Sequence, residues 1–202
     1  GKEVFPAAIR AKRVQLHPFD GYWEDIGTIR SYYQCNIDLA SSKPPFELAA
    51  PHAPIYSRAR FLPPSRVDGA RVQGSLISDG CTIGAGTVIE NSVIGLRCKI
   101  GKDVVVRNSV VLGNDYYETP EHLEVDVSNN VPPLGIGDGS IIEKAIIDKN
   151  VRIGSGAKVI NDYGLTELSE SKQFTIRDGV IVVPKNAVLQ NDWNPALCTS
   201  SD

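Results

Sequence analysis

The chain has 202 residues and a formal net charge of −3, with 42% hydrophobic and 22% charged residues, which describes an ordinary soluble protein of one large or two small domains. Without a basic excess it lacks the electrostatic footprint of a nucleic-acid binder, and no apolar run approaches the ~20 residues of a membrane-spanning helix. The four cysteines, Cys35, Cys81, Cys98 and Cys198, have no metal-ligand spacing and are expected as free thiols of a reducing compartment.

Residues 1–42 form a compact mixed segment. VFPAAI and KRVQLHPF are expected to be extended, and DGYWEDIG to turn into a helix over TIRSYYQCNIDLASS. Ile29, Tyr32, Tyr33 and Ile37 to Leu39 recur there at helical spacing, Thr28 caps the start, and Pro44-Pro45 forbids continuation. Residues 43–66 are a proline-rich connector, expected as an extended strap.

From about residue 67 to 190 an aliphatic recurs at every sixth position: Ile77, Ile83, Ile89; then Ile94, Ile100, Val106, Leu112; then Ile136, Ile142; then Ile147, Ile153, Val159. Gly often follows, as at Gly84, Gly95, Gly101, Gly113, Gly137 and Gly154. A period of six is neither helical nor alternating, and it marks a hexapeptide parallel β-helix in which each hexad is one short strand and a corner. Three hexads per coil predict a buried axial column that includes Ile100 and Ile153. The ladder is broken at residues 114–135, an acidic and aromatic insertion, and again at NDYGLTELSESKQF. Final rungs are expected at Ile176, Val182 and Val188, and the tail 191–202, which lacks periodicity, is expected to be disordered.

Chemistry concentrates at Gly21 to Thr28. Trp23, Glu24, Asp25 and Gly27 combine carboxylates, an aromatic and a permissive glycine just before a helix N-terminus, an arrangement suited to phosphates and their Mg²⁺. Against this stands a plainer account, a capped helix with Trp23 in the core. A single aspartate does not make a magnesium site, and no second ligand is evident nearby.

GYWEDIGTIRSYYQCNIDL resembles the segment that closes the catalytic domain of nucleoside-diphosphate-sugar pyrophosphorylases. GKEVFP is similar to the strand before it, IYSRARFLPPSRV to the linker, GNDYYET to the insertion, and AIIDKNVRIG to the penultimate coils of one branch, the ADP-glucose pyrophosphorylases or glucose-1-phosphate adenylyltransferases. The resemblance covers nearly the whole chain. It implies a mainly β fold, a left-handed parallel β-helix preceded by the closing α/β segment of a Rossmann-like nucleotidyltransferase domain. It implies ATP and glucose 1-phosphate as substrates, Mg²⁺ held in part by Asp25, and phosphorylated metabolites as effectors. Residue by residue, the effector site is expected at Arg60 of the linker, Asp148 and Lys149 of the Asp-Lys-Asn rung, and Lys185 of the last coils. Arg58 is an added cation beside them.

The chain contains no methionine, so Gly1 is expected not to be the natural start, and the sequence to be the C-terminal part of a longer protein or the product of processing. The nucleotide loop and the second metal ligand would then lie upstream, and these residues alone would be inactive in ADP-glucose synthesis. The family expectation is a homo- or heterotetramer in a bacterial cytoplasm or a plastid stroma, without nucleic acid or membrane. Three alternatives stay open: another sugar nucleotidyltransferase, a non-catalytic regulatory subunit, or a hexapeptide acyltransferase. The last needs a histidine base, and only His17, His52 and His122 exist.

Overall fold

The computed structural model describes residues 2–169 and 173–195. Three parallel sheets wind around one axis. The first stacks Arg66–Val67, Thr82–Ile83, Lys99–Ile100, Gly135–Ile136, Arg152–Ile153 and Val188–Leu189. The second stacks Arg71–Gln73, Val88–Glu90, Val105–Arg107, Ile141–Glu143 and Lys158–Val159. The third carries Leu76–Ile77, Val93–Leu96, Val110–Gly113, Ala145–Ile147 and Val180–Val183. Strands of two to four residues on three sides are a parallel β-helix, as the hexads predict.

One branched residue per strand points to the axis. Ile83, Ile100, Ile136 and Ile153 pair in register up the first sheet, and all are buried. Burial of such side chains against identical neighbours stabilises each by ~1.5–3 kcal/mol, and no isolated coil gains this. Hydroxyls satisfy a corner: Ser75, Ser92 and Ser109 each accept the backbone N–H of the next coil at 3.1–3.2 Å. Buried hydroxyls so paired carry no desolvation penalty.

The repeat is shorter than three hexads. Ile83 pairs with Ile100, seventeen residues on, because the step onto the third sheet takes five residues: Ile89 to Ile94, Val106 to Val111, Ile142 to Ile147. Val111, not Leu112, is therefore the inward rung, and Val183 and Leu189, not Val182 and Val188, fill the inward places above Ile147 and Ile153. Ile176 is no rung: Thr175–Arg177 runs antiparallel between Val180–Val183 and Glu167–Leu168. The misplacement has a physical source. Helix α2, Ile29–Ala40, covers the outside of the third sheet, so Val110, Ile146 and Val180 are buried on that face with Leu112 and Val182 packed beside them. A strand buried on both faces is a continuous apolar run whose inward member periodicity does not distinguish.

Helix α2 is capped as its sequence predicts, with Thr28 and Ser31 exchanging side-chain and backbone bonds. Tyr33 anchors it to the coil through a 2.6 Å hydrogen bond to the Asn108 carbonyl. VFPAAI is helical rather than extended: α1 spans Val4–Ala11. Pro6 falls in its first turn, where a missing N–H costs nothing, and Ala7 and Ala8 follow. Residues 191–195 also depart from expectation, because Trp193 is buried and packs edge-on against Phe174, with ring centroids 5.3 Å apart. The pair closes the end of the axial column. The rest of the tail, with Cys198, lies outside the described residues; Cys35, Cys81 and Cys98 are free thiols.

The glycine after each inward aliphatic serves close approach more than turning. A Cβ on Gly84 would lie 2.6 Å from the Gly101 carbonyl oxygen of the next coil. The left-handed positions come later in each corner, where Asn91, Asn108, Asn150, Asn186 and Asp103 take positive φ. Asn and Asp are the non-glycine residues that tolerate it best.

Candidate functional site

The corner leading from the third sheet back to the first carries Gly80, Arg97, Asn150 and Asn186 in left-handed conformation, one above another. Lys149 and Lys185 precede the two asparagines, and Asn186 N–H donates to the Lys149 carbonyl, so the lysines stand one coil apart on one edge. The insertion leaves the coil at this same corner, through Asn114. Its second residue, Asp115, reaches both lysines: Lys149 Nζ is 2.7 Å from Oδ1 and Lys185 Nζ 2.8 Å from Oδ2. Asn150 completes the arrangement, accepting the Asp115 N–H at 2.8 Å and donating to Oδ2 at 3.2 Å.

Hydrogen bonds from Lys149 and then Lys185 hold the Asp115 carboxyl well below the usual carboxylate range. The same contact raises Lys185 above an ordinary lysine. Asp148 keeps to its own turn, accepting the Lys149 backbone N–H at 2.6 Å. Two cations and one carboxylate thus share an accessible corner, with Asp115 38% exposed and the lysines 40% and 49% exposed in their side chains.

Farther along, the insertion is held differently. It contains α3, Pro120–Ser128, capped by Thr119. Arg152 donates to Glu118 at 2.6 Å and to the Pro132 carbonyl at 2.8 Å. Its other nitrogen lies 3.0 Å from Asp126 Oδ2, close enough to pair the charges though not aligned as a hydrogen bond. Between the two charged contacts, Tyr117 donates to the Gly80 carbonyl and lies beneath the Arg97 guanidinium.

The expected effector residues are only partly brought together. Lys149 and Lys185 converge, and Asp148 sits beside them. Arg58 and Arg60 are exposed in the connector, where Arg60 donates to the Arg58 carbonyl. Among the described residues no hydrogen bond or ion pair joins either arginine to the lysines. Asp115, Asn150 and Asn186 escaped the sequence reading because their contacts span 34 to 70 residues. The acidic, aromatic character of the insertion was the one available signal.

The Trp23 segment is open to solvent. Trp23 is 74% exposed, so the account that placed it in a core is corrected, while the capped helix of that account is present. Glu24, Asp25 and Gly27 are exposed as well, and Asp25 Oδ1 accepts the Gly27 N–H at 3.1 Å. Magnesium seeks about six oxygen ligands. Among the described residues no group of three or more His, Cys, Asp or Glu stands close enough to hold a metal ion. These residues by themselves do not fit Mg²⁺. His122 is exposed on α3, away from the coil's inward face.

The model of the GLGC left-handed parallel β-helix domain matches residues 60–193. The match takes in every strand of the three sheets, the insertion with Asp115, both lysines, and Trp193 at its far end. It agrees with the expected likeness to the C-terminal β-helix of ADP-glucose pyrophosphorylase and covers well over half of the chain. The chain belongs to the GLGC left-handed parallel β-helix domain family.

Proposed function

We propose that this chain is the regulatory and assembly portion of a glucose-1-phosphate adenylyltransferase, and that phosphorylated metabolites bind at the corner carrying Lys149 and Lys185. In the reaction, a phosphate oxygen of glucose 1-phosphate attacks the α-phosphorus of ATP, the bond to the β-phosphate breaks, and pyrophosphate leaves with ADP-glucose as the other product. Such chemistry depends on positioning and charge neutralisation. The product serves glycogen or starch synthesis, in a bacterial cytoplasm or a plastid stroma.

One observation carries the effector assignment. Two lysines from successive coils converge on a single carboxylate, one on each oxygen. Solvated lysines on a solenoid have no reason to converge, whereas a rigid corner that holds two ammonium groups a carboxylate's width apart is a seat for an oxyanion. Asp148, through Lys149, orients the rung. Arg58 and Arg60 would join from the connector on ligand binding.

Assembly is the second part of the proposal. The first coil leaves its strand edges open, with Val67 and Val72 46% and 38% exposed. Exposed strand edges are covered in natural proteins by caps or partners, and a homo- or heterotetramer would cover these. No described helix is long and apolar enough to cross a membrane.

The test is effector activation of the full-length enzyme. Lys185→Ala is expected to raise the effector concentration for half-activation about tenfold or more, since a charged hydrogen bond contributes ~1.5–3 kcal/mol. An unchanged half-saturation would remove Lys185 from the site.

A further inference from the structure

We propose that Asp115 is a built-in occupant of the Lys149–Lys185 seat, and that a phosphate-bearing ligand binds there by displacing its carboxylate and freeing the leading residues of the insertion. This rests on the effector reading above and adds a competitor to it.

The seat is already filled from within. Each Asp115 oxygen takes one lysine, and Asn150 holds the residue at its backbone N–H and at Oδ2. The geometry is that of a bound oxyanion supplied by the chain itself. An incoming ligand meets no free ammonium pair at this corner; it must trade places with a carboxylate.

The trade is feasible because the contact is exposed. All three charged side chains are more than a third open to water, and ion pairs in that setting are weak and screened by salt. It is also local. Glu118 stays pinned by Arg152 at 2.6 Å, and that arginine is only 14% exposed. Tyr117 keeps its own bond to the Gly80 carbonyl, so displacement releases Asp115 and Tyr116 without undoing α3.

Charge sets the preference. Two lysines and Asp115 sum to one positive charge; the emptied seat offers two. A phosphate monoester carries about −1.5 to −2 near neutral pH, so it neutralises the seat better than the single charge it expels. Asp148 stands close enough to act on Lys185 and penalises excess negative charge. The low proton affinity of Asp115 keeps it ionised throughout the neutral range, so the competition persists there. The seat thus favours phosphate groups over simple carboxylates, and Asp115 sets the threshold at which they enter.

The competitor predicts a sign that a supporting residue would not. Inorganic phosphate is titrated calorimetrically into the full 202-residue chain at low ionic strength, for the native sequence, Lys185→Ala and Asp115→Asn. Asp115→Asn is expected to tighten phosphate binding about tenfold, and Lys185→Ala to weaken it by a similar factor. Should Lys185→Ala weaken binding while Asp115→Asn weakens it or leaves it unchanged, the competitor is overturned and the seat stands. Should phosphate bind the native chain and Lys185→Ala equally, or bind none of the three, the seat itself falls and the competitor with it. Both substitutions are at exposed positions, and Asp115→Ala provides a second variant that must tighten binding in the same direction.

Discussion

Two ion-pair clusters fasten the insertion to the coil, on either side of the Tyr117 contact with Gly80, and they differ in kind. At Arg152 one guanidinium joins Glu118, Asp126 and the Pro132 carbonyl, with Glu118 only 5% exposed. At Asp115 one carboxylate joins two lysines in open solvent. The first geometry locks a loop, because withdrawing the arginine strands a carboxylate away from water. The second holds a loop reversibly, because water and dissolved ions replace each partner at small cost. A long excursion anchored firmly at one point and loosely at its root has a defined place to move.

The contrast can be broken most forcefully at Arg152. Arg152→Ala is expected to destabilise the fold by about 3–5 kcal/mol in chemical denaturation, the usual cost of leaving a buried partner uncompensated. A loss no greater than that of an exposed ion pair would make the two fastenings equivalent. Asp115→Asn should cost a small fraction of the Arg152 effect, since both of its charged partners are exposed.

The pH dependence sharpens the distinction. Asp115 binds its proton more weakly folded than unfolded, so its contribution is fully present above the ordinary carboxylate range and disappears only as pH falls through the lower, folded value. Native chain and Asp115→Asn should therefore differ by a constant, small amount in unfolding midpoint from about pH 8 to about pH 5, and converge in stronger acid. Convergence already near pH 6 would show that the lysines do not hold the carboxylate.

Much of the fold was legible because the axial column repeats. Ile83, Ile89, Ile94, Ile100, Val106, Ile136, Ile142, Ile147, Ile153 and Val159 are buried where the period placed them. The period failed at Leu112, because the step onto the third sheet takes five residues and α2 gives that strand two apolar faces, and at Val182 and Val188, because their count began at Ile176, which lies in an antiparallel strand off the ladder. It was silent on Trp193, since a residue that closes a column belongs to no repeat. Lys149 and Lys185 were found through resemblance to a family, and their convergence follows from the coil stacking that the hexads encode. Asp115 was not found. Its role depends on where the insertion folds back, and a contact with a lysine 70 residues away has no local signature.

An anion seat with a removable occupant at this corner is reported directly by the Asp115 backbone amide. That N–H is bonded to Asn150 Oδ1 at 2.8 Å while the carboxylate is seated. Nuclear magnetic resonance of the full chain, titrated with inorganic phosphate, should show the Asp115 amide losing its protection from exchange while the amides of α3 keep theirs. Unchanged or increased protection at Asp115 as phosphate saturates the protein would contradict it.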